Sequence, residues 1–90
     1  MEIILHWIGS HGIGKEKIFF EGNSLSLRKL LTDLRESSRE KVRPFVNEDL
    51  TIPGGSVILV NGRNILSLDG MDTELRDQDE ITFTVLVAGG

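Results

Sequence analysis

One stretch of this 90-residue sequence repeats its apolar residues at helical spacing, and the sequence around it alternates as strands do. The stretch begins after Ser26, a suitable helix N-cap, and we predict a helix over residues 27–37. Four leucines at positions i, i+3, i+4 and i+7 form its apolar stripe: Leu27, Leu30, Leu31 and Leu34. A helix with one apolar stripe must bury it against another layer, so the strands have to supply a sheet face.

Alternating apolar residues predict strands on both sides of the helix. The predicted strands span residues 2–8, 16–21, 56–60, 63–66 and 80–87. Asn61-Gly62 is a strong hairpin signal, and Ile18 and Phe20 are expected to face the core. Residues 38–55 lack a clean period and are predicted to form a long connection. Its apolar residues should lie against the core: Phe45, Val46, Leu50 and Ile52.

This order of elements predicts an α+β domain of the β-grasp type. Its mixed sheet should have four to five strands, with one main helix packed on one face. The 90 residues form one small domain, which leaves no room for a deep cleft between two lobes.

Composition limits the classes of function open to the chain. There is no cysteine, which excludes disulfides, thiolate metal sites and a cysteine nucleophile. The net charge of −4 argues against a nucleic-acid binder, and no apolar run approaches the length of a membrane span. We therefore expect a cytoplasmic protein that contacts neither a membrane nor nucleic acid directly.

The stretch GSHGIGKE, residues 9–16, comes close to a phosphate-binding loop. Gly9, Gly14 and Lys15 have the required spacing, but Glu16 stands where a Ser or Thr must hold magnesium, and no helical stripe follows. The sequence therefore predicts a glycine-rich hairpin loop between two strands that does not bind ATP.

Two sets of polar residues are candidates for a metal site. His6 and His11 have no third ligand at suitable spacing, so we expect them to bind no metal. An acidic cluster precedes the last predicted strand: Asp69, Asp72, Glu74, Asp77, Asp79 and Glu80. Because the EF-hand pattern is absent, turn chemistry and solubility explain this cluster better than a cation site does. Steering toward a basic partner is the alternative.

The sequence ends in Val87-Ala88-Gly89-Gly90, which extends directly from the last predicted strand. Glycine has no Cβ, so a Gly-Gly end passes through an opening that is too narrow for other residues. We predict a β-grasp domain over residues 1–85 and a flexible C-terminal tail over residues 86–90.

With this ending, the outline resembles the ubiquitin-like sulfur carriers and modifiers, a family that includes MoaD, ThiS, the ubiquitin-related modifiers and the small archaeal modifier proteins. Val60-Asn61-Gly62 resembles the hairpin of this family, residues 72–81 are similar to the stretch before its last strand, and Val87–Gly90 matches the MoaD ending. Gln78 stands where bacterial carriers usually have glycine. In this respect, Asp77-Gln78-Asp79 is similar to the ubiquitin-related modifiers.

The resemblance implies a carrier protein that is not an enzyme and has no catalytic residue or bound cofactor of its own. An activating enzyme of the ubiquitin-activating type would use ATP to adenylate Gly90. Four residues would thread into that enzyme: Leu86, Val87, Ala88 and Gly89. A thiocarboxylate on Gly90 would then donate sulfur to molybdopterin, with a larger synthase subunit as partner, or to tRNA. Alternatively, Gly90 would be joined to lysines of target proteins.

The partner must also recognise the body of the domain. By strand parity, if Ile58 and Val60 face the helix, Leu59 faces out, where ubiquitin has a similar apolar docking residue. Ile4 and Leu86 are expected to share that face. The competing hypothesis is a non-catalytic β-grasp interaction module whose Gly-Gly end is incidental.

Overall fold

The computed structural model of the chain describes residues 1–9 and 12–85. Its strands are β1 (Glu2–Gly9), β2 (Gly12–Phe19), β3 (Leu25–Ser26), β4 (Ser56–Val60), β5 (Arg63–Asn64), β6 (Glu74–Leu75) and β7 (Glu80–Val85). Its helices are α1 (Leu27–Ser37) and α2 (Arg39–Val42), and two 3-10 turns span Ile65–Ser67 and Gly70–Asp72. Within this part of the chain, no helix is long and apolar enough to cross a membrane.

The main sheet has five strands in the order β2-β1-β7-β4-β5, and β3 pairs with β6 in a separate two-stranded sheet. The pair β1–β7 is parallel, whereas β1–β2, β4–β7 and β4–β5 are antiparallel. The sheet is therefore mixed, with α1 as the main helix on one face. This confirms the predicted α+β, β-grasp fold.

Helix α1 begins and ends where its sequence predicts. The Ser26 hydroxyl accepts a hydrogen bond of 3.1 Å from the Lys29 N–H, which caps the helix. The four leucines of the predicted stripe are buried in α1. They join sheet residues such as Ile3, Leu5 and Ile81 in one core cluster. Tertiary packing of this apolar face, more than intrinsic propensity, stabilises a helix of this length.

Three aromatic rings fill the end of the core nearest the β1–β2 hairpin. Trp7 stacks on Phe83 with ring centroids 4.4 Å apart and an interplanar angle of 12°. Phe45 lies against both rings at 6.0 and 5.9 Å. The Trp7 indole N–H donates to Glu16 Oε1 at 3.1 Å, and Lys41 Nζ lies 3.3 Å from the other oxygen of that carboxylate. The polar part of the indole is therefore satisfied at the edge of the core.

The connection between α1 and β4 is more ordered than predicted. It contains α2, a helix of four residues, which is too short to show a hydrophobic period in the sequence. As expected, the four apolar residues of this connection pack on the core: Phe45 and Val46 are buried, and Leu50 and Ile52 lie partly buried against it. Within the connection, hydrogen bonds from the Thr51 hydroxyl and N–H to Asp49 lower the pKa of that carboxyl.

Several predicted strand boundaries were wrong. Strand β2 starts at Gly12, so residues 12–16 of the predicted glycine-rich loop belong to a strand. The predicted strand at 63–66 covers only Arg63–Asn64, because Asn64 then caps the 3-10 turn through a hydrogen bond of 2.9 Å from the Leu66 N–H. The two-residue strands β3 and β6 were not predicted. They pair Leu25 with Leu75.

Candidate functional site

The central strand β7 leads to the predicted tail. It is paired on both sides, with Thr84 opposite Ile8 of β1 and opposite Val57 of β4. Its inward residues Ile81 and Phe83 are fully buried. The predicted tail residues Leu86, Val87, Ala88, Gly89 and Gly90 lie outside the described residues, as does the boundary that separates them from the domain. Their roles therefore stay predictions.

The other end of β7 is fixed by hydrogen bonds from the β4–β5 turn. The Asn61 side chain accepts from the Glu80 N–H at 2.9 Å and donates to Asp79 Oδ1 at 3.0 Å. The Asn61 N–H donates to the Glu80 carbonyl at 2.8 Å, and the second oxygen of Asp79 accepts from the Arg76 N–H at 2.8 Å. Asn61 and Gly62 both have positive φ, of 51° and 83°, as the Asn-Gly hairpin signal predicts. These hydrogen bonds fix the register of β7 relative to β4.

The segment Asp77-Gln78-Asp79 ties this turn to β1. The Glu2 N–H donates to Asp77 Oδ1 at 2.7 Å, and the Gln78 N–H donates to the Glu2 carbonyl at 2.7 Å. Gln78 has a φ of 71°, a left-handed conformation that glycine adopts without a steric penalty. Glycine would therefore fit this position without backbone strain. Asp77 and Asp79 thus have the turn roles expected of the acidic cluster.

Residue Leu59 lies on the sheet face opposite α1. Its neighbours Ile58 and Val60 are buried in the core, so Leu59 has the orientation that strand parity predicts. The register places it opposite Thr82, which in turn lies opposite His6 on β1. Leu59 is half-buried on this outer face. Its docking role stays a prediction.

Ile4 occupies the same outer face but is separated from Leu59. It lies opposite Glu80, which is two residues along β7 from Thr82, the residue opposite Leu59. The His6 ring nitrogen Nε2 lies 2.7 Å from Glu80 Oε1 between them. The polar His6–Glu80 pair therefore lies between these two apolar residues of the outer face. Sequence reasoning missed this pair because its members are 74 positions apart.

Of the two candidate histidine ligands, only His6 belongs to the described residues. His6 contacts Glu80, and His11 lies outside the described residues. Over residues 1–9 and 12–85, no three side chains of His, Asp or Glu are arranged to hold a metal ion.

Comparisons with known proteins agree with this geometry. A sequence model of the ThiS family matches residues 11–90. A protein of Archaeoglobus fulgidus with the name "Putative sulfur carrier protein" is 27% identical over 78 residues, which are 87% of this chain and 89% of that protein.

Two solved structures have the same fold over nearly the whole chain. Small archaeal modifier protein 1 from Methanosarcina acetivorans is 26% identical with a TM-score of 0.67, covering 99% of this chain and 96% of its own. Urm1 from Trypanosoma brucei has a TM-score of 0.73 at 20% identity, covers 99% of this chain and 95% of its own, and so supports the fold alone. Because the family match spans most of the chain, the resemblance seen in the sequence is confirmed: the chain belongs to the ThiS family of ubiquitin-like β-grasp sulfur carriers and modifiers, which are carrier proteins and not enzymes.

Proposed function

We propose that the chain carries sulfur as a thiocarboxylate on Gly90, which an ATP-dependent activating enzyme forms. The observation that carries this proposal is the family match, which continues through residue 90 and therefore includes Val87-Ala88-Gly89-Gly90. These residues follow β7, the strand held on both sides in the centre of the sheet. A rigid domain with a short apolar and glycine end suits delivery of one carboxylate into the site of a partner.

The chemistry needs two steps, both with catalytic groups on the partner. First, a Gly90 carboxylate oxygen attacks the α-phosphorus of ATP, and pyrophosphate leaves. The acyl-adenylate then has AMP as a good leaving group. Hydrosulfide adds to its carbonyl carbon, AMP leaves, and the proton passes to water, which leaves a thiocarboxylate. Splitting one difficult substitution into two easier ones is ordinary covalent catalysis.

Recognition of the domain is assigned to the outer face of the sheet. Leu59 and Ile4 supply apolar contacts there, and the His6–Glu80 pair between them supplies a polar one. Residues 86–89 would thread toward the adenylating site, where two glycines fit a narrow passage. On this arrangement ATP is held by the partner.

Sulfur has two candidate acceptors, molybdopterin and tRNA. The MoaD-like ending favours molybdopterin with a larger synthase subunit, whereas Asp77-Gln78-Asp79 favours the modifier-like roles. Conjugation to lysines is a second function, supported by the similarity to small archaeal modifier protein 1. In that branch a lysine amine replaces hydrosulfide as the nucleophile, and AMP leaves as the isopeptide bond forms.

The direct test is intact mass spectrometry of the protein purified from its own host, grown with and without sulfur. We expect a species in which one oxygen is exchanged for sulfur, located on Gly90, and its absence when Gly90 is deleted. Gly-Gly remnants on lysines of other proteins would assign the conjugation branch. A plain carboxylate in both media, with no conjugates, would contradict activation and favour a simple interaction module.

The docking face is tested with a matched pair of leucine variants. Leu59→Glu should lower kcat/KM for adenylation at least about tenfold, since a carboxylate that is buried in an interface without a partner costs several kcal/mol. Leu66→Glu introduces the same change at a leucine that is 82% exposed in a 3-10 turn, and should leave the rate unchanged. Equal rates for both variants would contradict the assignment of the outer face.

A further inference from the structure

Strand β2 forms an open edge of the main sheet. It is the first strand in the order β2-β1-β7-β4-β5, and no other strand in the described part of the chain pairs with its second side. Its eight residues pair with β1 in one continuous register from Phe19 opposite Glu2 to Gly12 opposite Gly9. Neither a proline nor a bulge interrupts the strand. Long regular edges of this kind are binding sites for another strand unless they are protected.

The register fixes which main-chain groups point to the open side. The Phe20 N–H donates to the Met1 carbonyl at 2.9 Å, and the Met1 amino group donates to the Phe20 carbonyl at 2.5 Å. Residues 20, 18, 16, 14 and 12 therefore direct their N–H and C=O groups toward β1. The alternate residues, 13, 15, 17 and 19, direct theirs outward.

The same four residues present a distinctive row of side chains on the outer face. Ile13 and Phe19 stand at its two ends and are 84% and 75% exposed. Lys15 and Lys17 stand between them, both exposed. Lys17 has one partner, Glu2, at 3.9 Å, and no carboxylate of the described residues lies within ion-pair distance of Lys15. Such a solvent-exposed pair contributes little and leaves the row positively charged.

The inner side of this edge lacks side chains at two positions near its start, Gly12 and Gly14. Gly12 and Gly14 open a groove whose far wall is Pro44 and Phe45 and whose floor includes Trp7. A Cβ at Gly14 would lie 3.8 Å from the Trp7 ring, in ordinary contact, so the lack of a side chain there leaves space for a small group beside this otherwise buried ring. The Glu16 carboxylate on this side already accepts hydrogen bonds from the Trp7 indole and from Lys41.

We propose that the β2 edge binds an extended acidic segment of a partner protein by strand addition. The segment that fits this row has an apolar residue opposite Ile13 and another opposite Phe19. Between them, at alternate positions, it has acidic residues opposite Lys15 and Lys17. Opposite charges directly across a strand pair stabilise it, and the intervening small apolar side chains enter the groove beside Gly14. This assignment is independent of any chemistry at Gly90.

Charge also decides against a second copy of this chain as the occupant. Two β2 strands paired antiparallel about Glu16 would place Lys15 of each copy opposite Lys17 of the other. Like charges directly opposite destabilise a strand pair, and lysines on edges are a recognised protection against self-association. The same lysines therefore select an acidic strand over a copy of themselves.

The test uses a seven-residue peptide with the sequence Val-Ala-Asp-Ala-Asp-Ala-Val, blocked at both ends, which presents the same pattern in either direction. Amide hydrogen exchange of the protein is followed with and without the peptide. We expect the amides of residues 13, 15, 17 and 19 to exchange rapidly in the free protein and to become protected on binding. The amides of residues 14, 16 and 18 should be protected in both states.

Charge reversal supplies the matched controls. The double variant Lys15→Glu/Lys17→Glu should weaken binding of the aspartate peptide at least about tenfold and should bind the peptide with lysine in place of aspartate. Lys29→Glu, on α1, should bind as the unaltered protein does, and protection of β1 amides reports that each variant is folded. The proposal would be overturned if the unaltered protein bound both peptides equally well. It would also be overturned if the aspartate peptide bound without protecting the amides of residues 13, 15, 17 and 19. Outward amides already protected in the free protein would also overturn it, since a second copy would then occupy the edge.

Discussion

The two ends of strand β7 are held in the sheet by different forces. At the Glu80 end, hydrogen bonds from Asn61 and the turn around Gln78 fix the strand among exposed polar groups. Toward the Val85 end, the Phe83 ring stacks on Trp7 inside the core. Hydrogen bonds are directional and add modest net free energy, whereas burial of an aromatic ring adds more with less directional control. The polar contacts at the Glu80 end thus set the register of the strand, and burial of Phe83, together with Ile81, supplies most of its stability.

This division suits a chain whose predicted tail follows the apolar end. A partner that binds residues beyond Val85 therefore binds next to a strand whose register is fixed at its Glu80 end. Three substitutions test whether the two ends differ as described, in descending order of expected effect.

Phe83→Ala should reduce the free energy of unfolding by about 3–5 kcal/mol, since it removes a fully buried ring and leaves a cavity beside Trp7. Denaturant unfolding measures the loss. Phe83→Leu keeps most of the volume and should cost about 1.5 kcal/mol or less. If Phe83→Ala lowered the free energy of unfolding no more than Asn61→Ala does, the two ends of β7 would not differ as described.

Asn61→Ala should cost about 1–2 kcal/mol in the same measurement. It removes the acceptor of the Glu80 N–H and keeps a Cβ at a φ of 51°, a conformation that alanine adopts less readily than asparagine. Asn61→Gly loses the same hydrogen bonds without the steric penalty, so it should cost less than Asn61→Ala. If the two variants are equally stable, the positive φ contributes nothing and the side chain alone accounts for the turn.

Gln78→Gly should raise the free energy of unfolding by about 0.5–1 kcal/mol, because it relieves a left-handed φ of 71° while the main-chain bond to Glu2 is kept. Thermal unfolding is a convenient readout. Gln78→Ala keeps the same backbone conflict and is the control, with little change expected. A glycine variant no more stable than the alanine variant would show that the turn is unstrained.

The elements predicted correctly are those whose signal is local. Helix α1 has four leucines at one spacing and a serine cap, and β4 is followed by the Asn61-Gly62 turn, so short stretches of sequence determine both. The start of β2 was missed because Gly12 and Gly14 have no preference for strands. They pair with Gly9 and Trp7 only because β1 provides a template.

The candidate site depends on pairing that local sequence does not encode. The orientation of Leu59 followed from parity within one strand, but the His6–Glu80 contact required the parallel pairing of β1 with β7. The open side of β2 likewise emerges only from the order of strands in the sheet. Short elements such as α2 give too few residues for any period to be detected.

The parallel pairing of β1 with β7 also affects how the chain reaches its folded state. Ile4 pairs with Glu80, 76 positions later, so the centre of the sheet closes a loop that includes nearly all of the described elements. Closing a long loop costs entropy before its contacts form, and folding slows as contacting residues lie farther apart in sequence. During synthesis on the ribosome, the β1–β2 hairpin and α1 are complete before residues 80–85 are available. Until then, the apolar residues that pack against β7 stay exposed. Exposed apolar surface and unpaired strand edges favour aggregation, so this interval is the stage at which the chain is most exposed to it.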